Sequence, residues 1–261
     1  MMLRNLNIEF LKTFDDTMTI AYRNILKIKY NPMMMFDVLV SPILLTLLFT
    51  FVFGEAIAGN RMEYLQDVIP GMIVMATLTC SAATGTQLNA DMNKGIYDRF
   101  KSLPIGRFVP LVGSLIADFP RYALAITTTM VTGFLIGWRP EGGLLWVFSG
   151  ALFCIFISSA MSWIFALMGL MGLKAAAIQG LSNMIMQLLT FLSGTVVPTE
   201  TLPSGLQSFA RMNPVTYLVS TLRQMFTESR IGSDFTVAII LGCVIIFIFC
   251  PLTVWFYNKK V

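Results

Sequence analysis

The side chains able to do chemistry lie mainly in short polar stretches between long apolar ones. The richest of these stretches runs from Asn93 to Arg107, in a chain where only 12% of the residues are charged. It must lie in water, because charged groups are costly inside a bilayer. Ile96, Phe100 and Leu103 recur at helical spacing, and Gly95 can act as a helix breaker before them. The stretch predicts a short two-faced helix that can dock on a partner, or else a basic loop that only orients the chain.

The sequence lacks the residue types and motifs that most catalytic and metal-binding sites need. It contains no histidine, so the commonest general base and the commonest metal ligand are absent. It has no Gly-x-x-x-x-Gly-Lys-Ser/Thr loop for phosphates, and its polar segments are too short for a nucleotide-binding domain. We therefore expect no catalytic residue, no metal site and no cofactor in this chain, which cannot hydrolyse ATP alone.

The composition is typical of an integral membrane protein. Hydrophobic residues make up 56% of the chain and the mean hydropathy is +0.74, unlike an ordinary soluble domain. Six apolar segments are long enough to cross a hydrocarbon core of about 30 Å. We predict an all-α, polytopic membrane protein with six transmembrane helices, at about 33–53, 68–88, 108–136, 144–173, 178–197 and 235–257.

The remaining segments flank these spans. Residues 1–32 have the apolar spacing of an amphipathic helix, which can be a plain membrane anchor or a docking element. Residues 33–261 form the transmembrane domain, with the polar loop at 91–107. Between spans five and six, 198–234 predicts short extracellular interfacial helices, one of them capped by Asn213 before Pro214.

A few polar side chains interrupt the spans. Asp37 is the one charged residue of span one. In span three, Asp118 and Arg121 share a helix face, which predicts a mutually paired couple that reaches the interface. In span five, Asn183 and Gln187 lie one helical turn apart. These two amides can form hydrogen bonds between helices or line a transport path.

Basic residues decide the orientation, because loops rich in Lys and Arg stay in the cytoplasm. With six spans both termini share one side, and that side carries twelve basic residues: Arg4, Lys12, Arg23, Lys27, Lys29, Lys94, Arg99, Lys101, Arg107, Lys174, Lys259 and Lys260. The opposite side carries five: Arg61, Arg139, Arg211, Arg223 and Arg230. We therefore predict a multi-pass protein of the cell membrane with both termini cytoplasmic. The net charge of +4 reflects this asymmetry and does not indicate nucleic-acid binding.

Several stretches together resemble the membrane subunit of the type-2 ABC exporters, most closely its daunorubicin-resistance-like branch. The most specific is Lys94 to Arg107, with its Gly-Ile-x-Asp-Arg-Phe-x-Ser-Leu-Pro core. The resemblance covers nearly the whole chain. Its other elements are Asn31-Pro32, Phe49 to Gly54, Pro70-Gly71, Asp118 with Arg121, Gly137 to Gly143, Phe191 to Pro214 and Asn213-Pro214-Val215-Thr216.

This resemblance implies a permease subunit that pairs with a second copy of this or a related permease and with two copies of a separate cytoplasmic ATPase, where ATP and Mg would bind. The polar loop would be a coupling helix held by the ATPase, through Gly95, Asp98, Arg99, Phe100, Lys101, Ser102, Leu103 and Pro104, with Arg23 and Asn24 beside it. The substrate path would be near Thr79, Asn183, Gln187 and Phe191.

The cargo implied is an amphipathic or hydrophobic compound, such as a drug or antibiotic, a lipid or a peptide. Export of a polymer such as a glycan belongs to the same superfamily and stays an alternative. So does a non-transporting scaffold that tethers a cytoplasmic partner to the bilayer.

Overall fold

The regular structure is helical, in agreement with the predicted all-α class. The computed structural model describes residues 2–54, 61–102, 105–106, 108–193 and 204–260, and no strand occurs among them. The eleven α-helices of these residues are α1 (Met2–Lys29), α2 (Pro32–Leu48), α3 (Arg61–Asn93), α4 (Ile96–Lys101), α5 (Val109–Ile116), α6 (Asp118–Ile136), α7 (Gly143–Gly169), α8 (Ala175–Phe191), α9 (Ser204–Met212), α10 (Pro214–Arg223) and α11 (Ser233–Lys260). Single π-helical turns follow α2 (Phe49–Phe53) and α10 (Gln224–Glu228).

Five stretches of the described chain are long and apolar enough to cross a membrane: Pro32–Val52, Tyr64–Asn93, Val109–Ile136, Gly143–Gly169 and Ser233–Lys260. They overlap five of the six predicted spans. The helix at the predicted fifth span, α8, has 17 residues, or about 26 Å, which is short for a hydrocarbon core of about 30 Å. Residues 194–197 of that predicted span lie outside the described part of the chain.

Local sequence signals set several helix ends. The side chain of Asn31 accepts hydrogen bonds from the amides of Met33 and Met34, and Pro32 occupies the first turn of α2, where its missing N–H costs nothing. Asn213 caps α10 in the same way, by accepting from the Val215 amide at 3.0 Å. These caps agree with the predicted starts of both helices.

Helix α3 is the centre of the bundle and packs against α2, α6, α7 and α8. Within its apolar stretch 83% of the residues are buried, against 17% for α11. Leu65, Ile69 and Ile73 are fully buried on it. The apolar side chains of the peripheral α11 are instead mostly exposed or half-buried, as expected of a helix that faces lipid.

Glycines allow α3 and α7 to touch backbone to backbone. A Cβ atom added to Gly85 would lie 2.1 Å from the carbonyl oxygen of Phe165, and one added to Gly169 would lie 2.3 Å from that of Gly85. Small residues permit such close approach in membranes. Beside this crossing, Asn89 Nδ2 donates to the carbonyls of Gly169 at 3.1 Å and Leu173 at 3.2 Å, which satisfies acceptors that the end of α7 leaves open.

We expect the substitution Gly85→Ala to separate α3 from α7, because its Cβ would meet a main-chain oxygen that cannot move aside. Overpacking of this kind costs about 1–3 kcal/mol, so Tm in detergent should fall. Gly205→Ala is the matched control, since a Cβ there meets no described residue within 4 Å. An unchanged Tm for Gly85→Ala would show that the crossing is looser than described.

Candidate functional site

The predicted two-faced helix is present as α4. Gly95 precedes it with φ of 65°, a left-handed conformation that L side chains rarely adopt. Arg99 and Ser102 are exposed, and Ser102 Oγ donates to the Arg99 carbonyl at 2.8 Å. Leu103 and Pro104 lie outside the described residues, as do the side chains of Asp98 and Lys101.

The inner face of α4 packs on the ends of the spans. The Tyr97 ring is 5% exposed and makes edge contacts with Phe100 at 5.9 Å and Tyr257 at 5.5 Å between ring centroids. Burial raises the pKa of the Tyr97 phenol, so it stays neutral. Its cluster includes Leu88 of α3, Leu111 of α5 and Leu170 after α7. A displacement of α4 would therefore press on several membrane helices at once.

The N-terminal helix α1 is attached to the same place, with Arg23 and Asn24 beside α4 as the resemblance implies. The Arg23 guanidinium lies 4.9 Å from the centre of the Phe100 ring, and its Nη2 donates to Asn24 Oδ1 at 2.9 Å. One turn further, Lys27 Nζ and Asp91 Oδ1 form an ion pair of 2.5 Å. Cation–π contacts of this type contribute about 0.5–1 kcal/mol at exposed sites.

Sequence reasoning missed Tyr97, Tyr257 and Asp91. Tyr97 precedes Phe100 by three residues, a spacing that places two aromatic rings on one helix face, so a search for aromatic pairs would have found it. Asp91 is an acid at the end of an apolar helix, where a buried carboxylate requires a basic partner. No local signal identifies Lys27 or Tyr257 as the partners, because both are far away in sequence.

Asp118 and Arg121 form the predicted pair, with 2.6 Å between Oδ1 and Nη1. The prediction that they reach the interface is wrong, since the two side chains are only 3% and 4% exposed. The physical reason is α3, which covers them and provides the Thr84 hydroxyl as a donor to Asp118 Oδ2 at 2.6 Å. The pair is thus a buried, hydrogen-bonded link between α3 and α6.

Of the four predicted path residues, one contacts a neighbouring helix and three are exposed. Thr79 Oγ1 donates to the Met75 carbonyl at 2.8 Å and lies 3.7 Å from Met186 Sδ, so it faces α8. The other three are exposed on α8: Asn183, Gln187 and Phe191. Asn183 accepts from Gln179 of its own helix at 3.2 Å. No hydrogen bond joins either amide to another helix among the described residues.

Comparison with known proteins identifies the family. The family model described as "ABC-2 type transporter" matches residues 15–227, well over half of the chain. The chain belongs to the ABC-2 transporter membrane family. It is 33% identical over 244 residues to the daunorubicin resistance ABC transporter permease protein DrrB1 of Streptomyces coeruleorubidus, which covers 94% of this chain and 86% of the relative. The predicted daunorubicin-resistance-like branch is thereby confirmed.

More distant ABC-2 relatives match a smaller share of the chain. A probable doxorubicin resistance ABC transporter permease protein DrrC of Mycobacterium tuberculosis is 23% identical, over 71% of this chain and 67% of the relative. The inner membrane transport permease YadH of Escherichia coli is 24% identical, over 80% and 82%. ABC-2 permeases generally dimerise and work with a separate ABC ATPase subunit. The chain is accordingly an integral permease of the plasma membrane.

We expect Arg121→Met to destabilise this ABC-2 permease strongly, because it leaves the Asp118 carboxylate buried without a counter-charge. Breaking one side of a buried pair costs about 3–5 kcal/mol. The double variant Asp118→Asn/Arg121→Met should recover a large part of that loss. Thermal unfolding in detergent measures both.

Arg211→Met is the matched control for the ion pair, since Arg211 is exposed on α9 and surface changes usually stay within about 0.5 kcal/mol. Equal stability of the two single arginine variants would contradict a buried pair.

Proposed function

We propose that this ABC-2 permease is the transmembrane subunit of an ATP-driven exporter that moves an amphipathic or hydrophobic compound out of the cell. The observation that carries the proposal is the two-sided environment of α4. Its inner ring, Tyr97, is packed among the spans, while Arg99 and Ser102 are exposed and available to a partner. The relatives named for daunorubicin and doxorubicin resistance support a drug-like cargo, and a lipid or a peptide has the same amphipathic chemistry.

The proposed architecture has six spans, with α8 and the residues after it as the fifth. The excess of basic residues on one side, twelve against five, supports cytoplasmic termini and a cytoplasmic α4. Helices α9 and α10 would then lie at the outer surface. The domain division remains that of an N-terminal interfacial helix over 1–32 and a transmembrane domain over 33–261.

The proposed partners are two copies of a cytoplasmic ABC ATPase, which bind ATP and Mg, and a second permease. ATP closes the ATPase dimer, and a helix held in its groove transmits that closure to the spans as a shift between inward-open and outward-open populations. Coupling requires the ATPase to bind α4 differently in its two states. Gly95, Asp98, Lys101, Leu103 and Pro104 are proposed to complete the gripped surface.

The contacts of α4 support two distinct steps in this coupling. Arg99 is exposed and has the charge to meet an acidic groove. Phe100 is half-buried between Arg23 and Tyr97, so it connects the gripped surface to α1 and, through Tyr97, to α11. We therefore assign Arg99 to the interface with the ATPase and Phe100 to the transmission of its movement to the membrane helices.

We expect Arg99→Glu to abolish substrate-stimulated ATP hydrolysis in the purified complex while the permease stays folded, because the reversed charge repels the groove. Phe100→Ala should abolish the same stimulation by removing the contact with Arg23 and Tyr97. Lys174→Glu is the control, an equal charge reversal at an exposed residue directly before α8.

Transport that persists unchanged in both variants would remove α4 from the coupling path. ATP hydrolysis by the wild-type complex that responds to no hydrophobic or amphipathic compound would instead favour a scaffold that tethers the ATPase to the membrane.

We expect Gln187→Ala to change substrate preference more than basal ATP turnover, because the amide is exposed on α8 and has no hydrogen-bond partner among the described residues. ATPase stimulation by a set of compounds, compared with basal turnover, measures this. Ser182→Ala on the buried face of the same helix is the control for packing effects. A uniform loss of both activities in Gln187→Ala would indicate a structural role.

A further inference from the structure

A long groove separates part of α2 from part of α6. In their first halves the two helices meet through Val38, Tyr122 and Ala125, which belong to one buried cluster. In their second halves they enclose a groove of about 620 Å³. We call it the α2–α6 groove. Its apolar walls include Ile43 and Leu47 of α2, Phe51 of the turn that follows, and Val131, Leu135 and Ile136 of α6.

The chemistry of the α2–α6 groove suits a hydrocarbon ligand. Among the described residues that line it none is charged, and the polar ones are threonines. Thr127 and Thr132 each donate the hydroxyl hydrogen to a carbonyl of α6 at 2.8 Å, so neither needs a ligand as acceptor. Phe51, Val131 and Leu135 are 52%, 50% and 84% exposed. An apolar ligand would cover these side chains without leaving a threonine donor unpaired.

The dimensions of the groove fit one long acyl chain. Its walls at 43–51 and 127–136 are roughly 12–14 Å long, close to the 15 Å of one leaflet in a hydrocarbon core of about 30 Å. Its volume equals about twenty groups of the size of a water molecule, at about 30 Å³ each, which is the size of one acyl chain. A helix of the same length and about 10–12 Å across needs on the order of 1,000 Å³. A transmembrane helix of a second copy is therefore too large to enter.

The direction of the groove also agrees with a lipid chain. Both walls lie in the C-terminal halves of apolar stretches, Pro32–Val52 and Val109–Ile136. The groove thus runs along the helices within a single leaflet and ends at one membrane surface. With the cytoplasmic termini proposed above, that leaflet is the outer one.

Arg139 provides a positive charge at the membrane-surface end of the groove. Its Nη1 donates to the carbonyls of Phe134 at 3.0 Å and Trp138 at 2.9 Å, which holds the guanidinium against the last turn of α6. Capping of α6 explains Nη1 but not the Nε and Nη2 donors, which make no hydrogen bond within the described chain. Glu141, the nearest acid in sequence, is exposed and forms no ion pair with Arg139 there. A guanidinium with free donors matches the oxygens of a phosphate.

We propose that the α2–α6 groove binds one membrane phospholipid, with an acyl chain between the two helices and the phosphate at Arg139. The lipid provides packing that the chain itself lacks, since only 28% of the apolar stretch at α2 is buried, against 61% for Val109–Ile136. The site is separate from α4 and from the path residues of α8, so it goes beyond the proposed export function and does not depend on the cargo.

The test is photo-crosslinking of the purified permease in detergent, titrated with a probe lipid. The probes are phosphatidylglycerol and diacylglycerol, each with a diazirine in one acyl chain, and peptide mass spectrometry maps the adducts. Val131→Trp fills the groove, and Val244→Trp is its matched control, because Val244 is 46% exposed on α11. Arg139→Gln removes the phosphate contact, and Arg211→Gln is its control at an exposed arginine of α9.

In the wild type, adducts should concentrate on 43–51 and 127–136. Val131→Trp should lower them at least about fivefold, because its indole clashes with the chain, while adducts on α11 stay unchanged and show that the variant is folded. Arg139→Gln should raise the half-saturating concentration of phosphatidylglycerol about tenfold, the effect of losing a hydrogen bond to a charged group. Diacylglycerol, which has no phosphate, should not respond to Arg139→Gln, and both control variants should label as wild type.

Three results would overturn the inference. Equal labelling of the groove and of α11 that Val131→Trp does not alter would show annular lipid only. An unchanged phosphatidylglycerol titration in Arg139→Gln would exclude the phosphate contact. A disulfide between two copies of Val131→Cys would show that a second permease covers the groove. None of these results bears on export, which the ATPase measurements above test separately.

Discussion

The absence of water around α3 is the constraint on which the rest of the structure depends. In the hydrocarbon region an unsatisfied polar group costs several kcal/mol, yet this central helix carries threonines, a serine, asparagines and aspartates. Thr84 donates to Asp118 on α6, Asn89 donates to carbonyls at the end of α7, and Asp91 accepts from Lys27 on α1. These three polar side chains thereby tie α3 to three different helices. The same interactions that remove the cost of desolvation also determine which helices surround it.

This arrangement explains how a short helix at the membrane surface can influence a bundle. Helix α4 has little packing surface of its own, but Tyr97 and Phe100 place it against the ends of α3, α5, α11 and α1. The Gly85–Gly169 crossing joins α3 and α7 without intervening side chains, so a displacement at one helix cannot be absorbed by rotamer changes between them. Packed interfaces of this kind shift as units.

Much of the fold could be predicted because its signals are local. Apolar length predicted six spans, and five of them overlap stretches of the described chain that are long and apolar enough to cross a bilayer. Asn31-Pro32, Gly95 and Asn213-Pro214 marked helix starts through capping and backbone preferences that act within a few residues. Span five was less well defined, since α8 is short for a bilayer and its predicted end falls outside the described residues. The i, i+3 spacing was enough to pair Asp118 with Arg121, but it said nothing about their depth.

What the sequence by itself determined is therefore the set of helices, their caps and the family of permeases to which the chain belongs. Tertiary structure alone decided which side chains meet between helices. Lys27 and Asp91 are 64 residues apart and Thr84 and Asp118 are 34 apart, and no periodicity connects them. The physical reason is that helical periodicity specifies which face of a helix is apolar, whereas the partner of a buried charge depends on which other helix covers that face.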